Sequence, residues 1–380
     1  MSIIKEIVVF SEQGNPREIK TWSNVPYFLI KTLEEQGITV HGVDLSVKET
    51  YQKVVRKIYD YVLVDICKAQ VSNYSRSNFY NFCTNRKIKK AVKKFKTADA
   101  LIFTTFSFSA TKYSLKPSIL FCDWTIEHYI KYFLNRNPSN WEISFIKRQN
   151  KVIENASCVF VLFPSIAKSM KEKFLNPNII YNGNVTNNLI ASNLDLINIK
   201  RKKKTLLFIG SEKYLKGAKD LIASFVVLKD LHESLQLHII GIKKIDDITI
   251  PKDVFLHGYL DKGNKQEALL YYEILKSATI FINTSPKWAS FSASLEAMYF
   301  YTPLIITSYT EFIETFGESI DFGAYYDSES DILTNLIQGI LTDEKYMDLC
   351  INSFKAAEEH KWEDYTKRLL TKTALLLDKA

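Results

Sequence analysis

Cysteine is scarce in this 380-residue chain: five residues, at Cys67, Cys83, Cys122, Cys158 and Cys350. They are scattered, odd in number and never spaced as a CxxC pair. The expectation is buried thiols in a reducing compartment, with Cys122 and Cys158 inside apolar, strand-like runs. No uncharged apolar run reaches the roughly 18 residues that a membrane-spanning helix requires. The start, Met1-Ser2-Ile3-Ile4-Lys5-Glu6, has neither the basic opening nor the apolar centre of a signal peptide. An arginine-rich arm, a zinc pattern and an aromatic RNA-binding signature are all missing, which argues against a nucleic-acid partner. The six histidines (His41, His128, His232, His238, His257 and His360) are not at metal-ligand spacing, and there is no Asp-x-Asp to hold a divalent ion. These absences lead to an expected cytoplasmic protein with no metal site and no cofactor.

What is present fits an α/β protein of two domains. The length exceeds one ordinary domain. A hydrophobic content of 46% with 24% charged residues is that of a globular chain with a large core. The formal charge is +8, from 50 Lys+Arg against 42 Asp+Glu, and favours anionic partners such as phosphorylated substrates or an anionic membrane face.

Short apolar runs alternate with longer amphipathic ones, the rhythm of parallel strands joined by crossover helices. In the first half, strands are expected at Ile7–Phe10, Thr39–Val43, Ala100–Thr104, Ser118–Cys122 and Cys158–Leu162. A helix is expected from about Asn24 to Gln36, capped by Ser23 and stopped by Gly37. Residues 191–204 are polar and end in Arg201-Lys202-Lys203-Lys204, and the domain linker is placed there. In the second half, strands are expected at Leu206–Ile209, Leu237–Ile240, Val254–Leu256, Ile280–Asn283 and Leu304–Thr307. Helices are expected at Lys216–Leu231, Lys265–Lys276 and Ser292–Phe300, and the tail from Asp331 to Lys379 reads as helices only. The resulting division is 1–190, a linker at 191–204, a second domain at 205–360, and a C-terminal helix at 361–380 that packs toward the first domain.

Two stretches of the second half point to an anionic ligand. In Leu206-Leu207-Phe208-Ile209-Gly210-Ser211-Glu212-Lys213-Tyr214-Leu215-Lys216-Gly217, a strand runs into a loop that opens a helix. Ligands of open α/β sheets bind at such carboxyl ends. Gly210 would let a ligand approach the backbone closely, and Lys216 offers a compact positive charge for a phosphate. In Asn283-Thr284-Ser285-Pro286-Lys287-Trp288-Ala289-Ser290-Phe291-Ser292-Ala293-Ser294-Leu295-Glu296-Ala297-Met298, a small-residue loop precedes a helix whose free N–H groups form an anion site. Ser290 and Ser292 suit its N-cap. Glu296, among neighbours that read as buried, needs a partner for its charge, either paired ribose hydroxyls or a local lysine or backbone group.

Together with Phe255-Leu256-His257-Gly258-Tyr259, Thr302-Pro303-Leu304-Ile305 and the Tyr181-Asn182-Gly183-Asn184 turn, these motifs resemble the donor domain of the group 1, or family 4, glycosyltransferases. The resemblance covers about Leu206 to Gly317. It implies a GT-B fold, two Rossmann-like domains facing each other across a cleft, and a metal-independent transfer of sugar from a nucleotide-sugar donor. The acceptor it implies is a glycan or lipid-linked molecule, in bacterial surface polysaccharide biosynthesis (lipopolysaccharide, capsule or O-antigen). By position, Lys216 matches the lysine on the donor diphosphate, and Gly210 and Ser211 match the loop beneath it. Ser292, Ala293 and Ser294 match the backbone N–H groups that meet the phosphates, and Glu296 matches the glutamate on the ribose. Trp288 stands eight positions before Glu296, where the family carries another glutamate. Lys213 partly replaces an arginine usual in the first loop. The donor sugar and the stereochemical outcome are left open.

For the first domain, the run Ser118-Ile119-Leu120-Phe121-Cys122-Asp123-Trp124-Thr125-Ile126-Glu127-His128 delivers Asp123 to the carboxyl end of a strand. Asp123, Glu127 and His128 are the catalytic candidates, as carboxylate or imidazole groups able to take a proton from an acceptor hydroxyl or to stabilise an oxocarbenium-like transition state. For each, capping or a helix-surface position is the alternative. The stretch Arg86-Lys87-Ile88-Lys89-Lys90-Ala91-Val92-Lys93-Lys94-Phe95-Lys96 carries seven positive charges and no negative one. As a helix it would present a cationic face beside an apolar stripe, suited to the inner face of an anionic membrane. Two rival readings remain: a nucleotide-sugar epimerase of the same fold, and a non-catalytic paralogue that binds a donor or partners another transferase.

Overall fold

The computed structural model describes residues 4–47, 54–58, 61, 74–285, 291–327 and 330–378. By internal contacts the chain forms two units, one of residues 1–183 and 366–380, the other of residues 184–365.

Unit 1 is built on a six-stranded parallel sheet: β1 (Glu6–Ser11), β2 (Thr39–Asp44), β3 (Ala100–Phe103), β4 (Ser118–Cys122), β5 (Cys158–Val161) and β6 (Ile179–Tyr181), in the order β2-β1-β3-β4-β5-β6. In the inner strands the apolar runs are continuous because both faces are buried, as in β1, β3, β4 and β5. Ile7, Val8, Val9 and Phe10 are all fully buried. Such side chains contribute about 1.5–3 kcal/mol each. The helix Val25–Glu35 follows β1, and Gly37, with φ of 84°, ends it. Ser23 is not its cap: Trp22, Ser23 and Asn24 all have positive φ, so the chain enters through a left-handed turn and Asn24 holds the cap position. The helix Asn78–Lys94 buries Ile88 and Ala91, and Phe95 stacks on His41 at 4.3 Å. Much of the stripe expected to meet a membrane is thus spent on the unit's own packing. Lys89, Lys90, Lys93 and Lys94 stay exposed, as do Phe79 and Phe82.

Unit 2 repeats the plan with β7 (Thr205–Ile209), β8 (Gln236–Ile240), β9 (Val254–Gly258), β10 (Ala278–Asn283), β11 (Leu304–Thr307) and β12 (Gly323–Tyr326), in the order β12-β11-β10-β7-β8-β9. Where a polar linker is expected, residues Leu196–Lys203 form a helix. Its anchor is Lys200, fully buried, which donates to the carbonyls of Leu275 and Ala278 at 3.2 and 2.7 Å and to Thr302 Oγ1 at 2.8 Å. The last helix, Trp362–Leu377, belongs to unit 2 through Tyr365 and to unit 1 from Thr366. Trp362 donates to Asn187 Oδ1 at 2.9 Å within unit 2. Within unit 1, Thr366 Oγ1 accepts from Gln36 at 2.6 Å and Arg368 donates to the Asn182 carbonyl at 2.9 Å. Among the described residues no helix is long and apolar enough to cross a membrane.

Candidate functional site

In the sheet of unit 2 the strand order reverses between β7 and β10, the place where an open parallel sheet leaves a crevice at its carboxyl edge. Asn283 ties the two strand ends together. Its Nδ2 donates to the Ile209 carbonyl at 3.3 Å, and its Oδ1 accepts from the Ser285 amide at 3.1 Å. Gly210 follows β7, and a Cβ there would lie 2.9 Å from the Phe208 ring and 3.0 Å from Tyr214. Gly217, in the first turn of the helix Leu215–Leu231, presses against the end of β10. A Cβ there would lie 2.9 Å from Ser285 Oγ and 3.1 Å from the Ser285 amide nitrogen. Gly217 therefore lets the helix start and the end of β10 approach closely at the switch point, while Gly210 makes room for the Phe208 and Tyr214 rings.

The donor-side residues divide into exposed and buried sets. Ser211, Lys213 and Lys216 are exposed. Lys213 lies over the Tyr214 ring at 4.9 Å. Lys216 pairs with Asp220, one turn along, at 2.7 Å, and that bond raises its pKa. On the helix Phe291–Tyr299, Ser292 is partly exposed while Ala293, Ser294 and Glu296 are buried. Ser290 and Trp288 lie outside the described residues. Ser285 Oγ is buried and has no hydrogen-bond partner among the described residues.

The sequence pattern leaves open whether ribose hydroxyls or a local lysine would partner Glu296. Unit 2 supplies a lysine, but one that is distant in sequence. Lys262 Nζ and the Tyr271 hydroxyl each donate to Glu296 Oε2 at 2.6 Å, and Lys262 also sits 4.5 Å from the Tyr271 ring centre. Both bonds fall on one oxygen, so Oε1 has no hydrogen bond among the described residues. Burial, with the Glu296 carboxylate beside it, pushes the Tyr271 hydroxyl well above its ordinary pKa, so it remains a donor.

At the carboxyl edge of unit 1, Asp123 follows β4. Its Oδ1 accepts from the Trp124 amide at 2.9 Å and the Cys122 thiol at 3.1 Å. It is not a helix cap, because Thr125 Oγ1 takes that role from the His128 amide at 3.2 Å. Glu127 is held in ion pairs with Lys131, at 2.7 Å, and Lys173. Burial alone would raise its pKa, but the bonds from the two lysines outweigh it and hold the carboxyl below its ordinary value. Of the three candidates Glu127 is the most committed to structure. His128 stacks on Tyr132 at 5.2 Å, burial lowers its pKa, and its Nε2 is buried without a partner among the described residues.

Two groups near these edges carry no motif. Glu12 stands directly after β1 and accepts from Thr105 Oγ1 at 3.0 Å. Burial pushes its carboxyl up to about 7, against the bond from Thr105 and the charge of Arg76. Its signal in the sequence is only its place after a strand. Lys262 lies in the loop after β9, and nothing local marks it as the partner of Glu296. Among the described residues no group of three His, Cys, Asp or Glu side chains could hold a metal ion.

Comparison with known proteins fits this geometry. Residues 193–357 match the family model described as "Glycosyl transferases group 1". Among curated proteins, no sequence matches the chain. Solved structures do. A sucrose-phosphate synthase from Thermosynechococcus elongatus is 16% identical with a TM-score of 0.67, over 99% of this chain and 100% of that one. HepE of Anabaena, solved with UDP and glucose, is 12% identical with a TM-score of 0.62, over 97% and 99%. S. aureus TarM, solved with Fondaparinux, alpha-GlcNAc-glycerol and UDP, is 14% identical with a TM-score of 0.54, over 76% and 59%. The chain has the GT-B fold, built from two Rossmann-like domains. Its second unit carries the segment that matches the group 1 glycosyltransferase model.

Proposed function

We propose that the chain is a glycosyltransferase that takes its sugar from a nucleotide-sugar donor held on unit 2 and passes it to a glycan or lipid-linked acceptor held on unit 1, in bacterial surface polysaccharide biosynthesis. The observation that carries the reading is the switch point of unit 2, where Gly217 brings the start of one helix against Thr284 and Ser285 at the end of β10 and a second helix begins at Phe291. Free N–H groups at a helix start favour a diphosphate. In this reading the amides of Ser292, Ala293 and Ser294, with Lys216 and the loop of Gly210, Ser211 and Lys213, meet the phosphates. Glu296 Oε1, without a hydrogen bond among the described residues, accepts from a ribose hydroxyl. Asp123 and His128 are placed near the transferred sugar, with Glu127 behind them. UDP in HepE and TarM supports uridine diphosphate as the first nucleotide to try.

The test is calorimetric titration with UDP, followed by a screen of nucleotide sugars with and without lipid-linked acceptor. Glu296→Ala should weaken UDP binding at least about tenfold, the loss of one good charge-assisted hydrogen bond. Unchanged affinity and turnover in both Glu296→Ala and Lys216→Ala would sink the site. Activity is expected to survive EDTA. Trp288, in place of a glutamate, supports the reading as a donor-binding paralogue, which would bind UDP and turn over nothing. An epimerase would return an altered nucleotide sugar.

The exposed lysines of the helix Asn78–Lys94 support a peripheral place on an anionic membrane, each surface cation adding about 1 kcal/mol. Flotation with phosphatidylglycerol vesicles should be lost on changing Lys89, Lys90, Lys93 and Lys94 to Gln. Equal flotation of that variant would remove the proposal.

A further inference from the structure

The opposite edge of the sheet of unit 2, where β7 and β10 begin, holds a cavity of about 320 Å³. It is lined by Thr279 at the start of β10, by Arg201 and Lys204, and by Leu341, Asp343 and Tyr346. The strand runs about 13 Å from Thr279 to Asn283 at the switch point. The walls are fixed by their own bonds. Tyr346, first residue of the helix Tyr346–Glu358, is buried, and its hydroxyl donates to the Thr279 carbonyl at 2.9 Å. Thr279 Oγ1 donates to the Lys200 carbonyl at 2.9 Å and accepts from the Thr205 amide at 2.9 Å. Asp343, just past the helix Ser330–Thr342, accepts from the Lys345 amide at 2.7 Å through Oδ1. Its Oδ2 has no hydrogen bond among the described residues.

Two cations share the cavity with that carboxylate. Arg201 and Lys204 are three positions apart, and so lie on one side of the helix end. Arg201 has no hydrogen bond or ion pair among the described residues. Lys204 Nζ lies 3.0 Å from His232 Nδ1, and His232 Nε2 lies 2.7 Å from Gln338 Oε1. An ammonium can only donate, so Nδ1 accepts, Nε2 carries the ring proton, and the group holding Lys204 is neutral. Lys204 also sits in the left-handed region, with φ of 46°, at a helix end where glycine is usual because a Cβ is strained there. The carbonyl end of a helix favours any cation, and Lys202 and Lys203 meet that preference from solvent. Arg201 and Lys204 differ from them in lining the cavity.

We propose that this cavity binds a small organic phosphate monoester that carries a hydroxyl, such as a phosphorylated polyol or sugar. The planar fork of Arg201 suits two phosphate oxygens and Lys204 a third. Asp343 Oδ2 accepts from the hydroxyl, while Leu341 and the Tyr346 ring meet the carbon skeleton. The carboxylate makes the choice, since it repels bare phosphate and favours a hydroxyl beside it. The volume lies at the small end of the roughly 300–1,000 Å³ typical of ligand sites, which suits a small metabolite. No residue of the switch point takes part, so the inference stands apart from the transferase reading.

The test is calorimetric titration of the full chain with glycerol phosphate and with inorganic phosphate. Wild type should bind a single glycerol phosphate per chain, more tightly than inorganic phosphate. Arg201→Gln should weaken that binding at least about tenfold, as loss of a charge-assisted fork does. Lys204→Gly should weaken it too, in a protein that keeps its fold because glycine is at ease at a left-handed helix end. Asp343→Asn should bind inorganic phosphate more tightly than wild type does and lose the preference for glycerol phosphate. Lys202→Gln and Lys216→Ala should match wild type. Absence of binding by wild type at millimolar glycerol phosphate would overturn the proposal. Equal losses in Lys202→Gln and Arg201→Gln would do so as well, by showing only a charged surface. Loss in Lys216→Ala with full binding in Arg201→Gln would place the probe at the switch point and overturn it likewise.

Discussion

Lys262 and Glu296, 34 positions apart in sequence, form a buried ion pair at 2.6 Å inside unit 2. Each is less than a tenth exposed, and Tyr271 adds a second donor to the same carboxylate oxygen. Lys262→Met leaves the carboxylate buried with Tyr271 alone, and should cost about 3–5 kcal/mol, the usual cost of removing one partner of a buried pair. Lys262→Met with Glu296→Gln should regain much of that in urea unfolding, because no charge is then left bare. Equal stabilities of the single and double variants would show that the pair does not carry the charge.

Two glycines make a paired test of the switch point. In an open helix, Gly→Ala is stabilising by about 0.5–1 kcal/mol. Gly339, in the helix Ser330–Thr342, has nothing within 4 Å of an added Cβ, and Gly339→Ala should show that gain. Gly217→Ala meets the Ser285 backbone nitrogen at 3.1 Å and should reverse the sign, destabilising by about 1–2 kcal/mol as overpacking does. It should also weaken UDP binding. Thermal melts of the two variants give the comparison.

Lys200 caps the carbonyl end of the helix Lys265–Ser277 from the inside. Lys200→Met preserves the aliphatic stem but strands two carbonyls and the Thr302 hydroxyl. The expected loss is about 2–4 kcal/mol by denaturant midpoint, from buried acceptors left unpaired. A loss below about 1 kcal/mol would mean that water replaces the ammonium.

Acid should weaken unit 2 through His238. It bonds to His257 at 3.0 Å, and burial, reinforced by His257 and Lys203, pulls its pKa down to about 4. An unfolded histidine titrates near ~6.5. As pH falls from there, the unfolded chain takes up a proton that the folded one refuses. Stability present above about 6.5 is therefore lost progressively toward pH 4. The melting temperature of wild type should drop across that window more steeply than that of His238→Gln. Parallel curves would rule the pair out as the cause.

Much of the fold was legible because parallel strands buried on both faces leave uninterrupted apolar runs. Ser118–Cys122 and Leu304–Thr307 are found with the bounds expected. β6 and β12 carry no such run: Ile179–Tyr181 is only three residues long, and Gly323–Tyr326 opens on glycine and is half-buried. The helix Leu196–Lys203 has the composition of a linker, and only packing shows that Lys200 points inward.

For the site, local sequence determined the glycines and the helix starts, since a turn or a cap depends on residues a few positions apart. It also determined that Glu296 would sit among buried neighbours and so need a partner. Which partner was decided by tertiary structure, as Lys262 and Tyr271 reach Glu296 from another loop and another helix. The same holds for Glu12 and Thr105, 93 positions apart and adjacent only because β1 and β3 pair. A carboxyl's chemistry depends on how much water and how many donors surround it, and those are set by chain segments that the linear order keeps far apart.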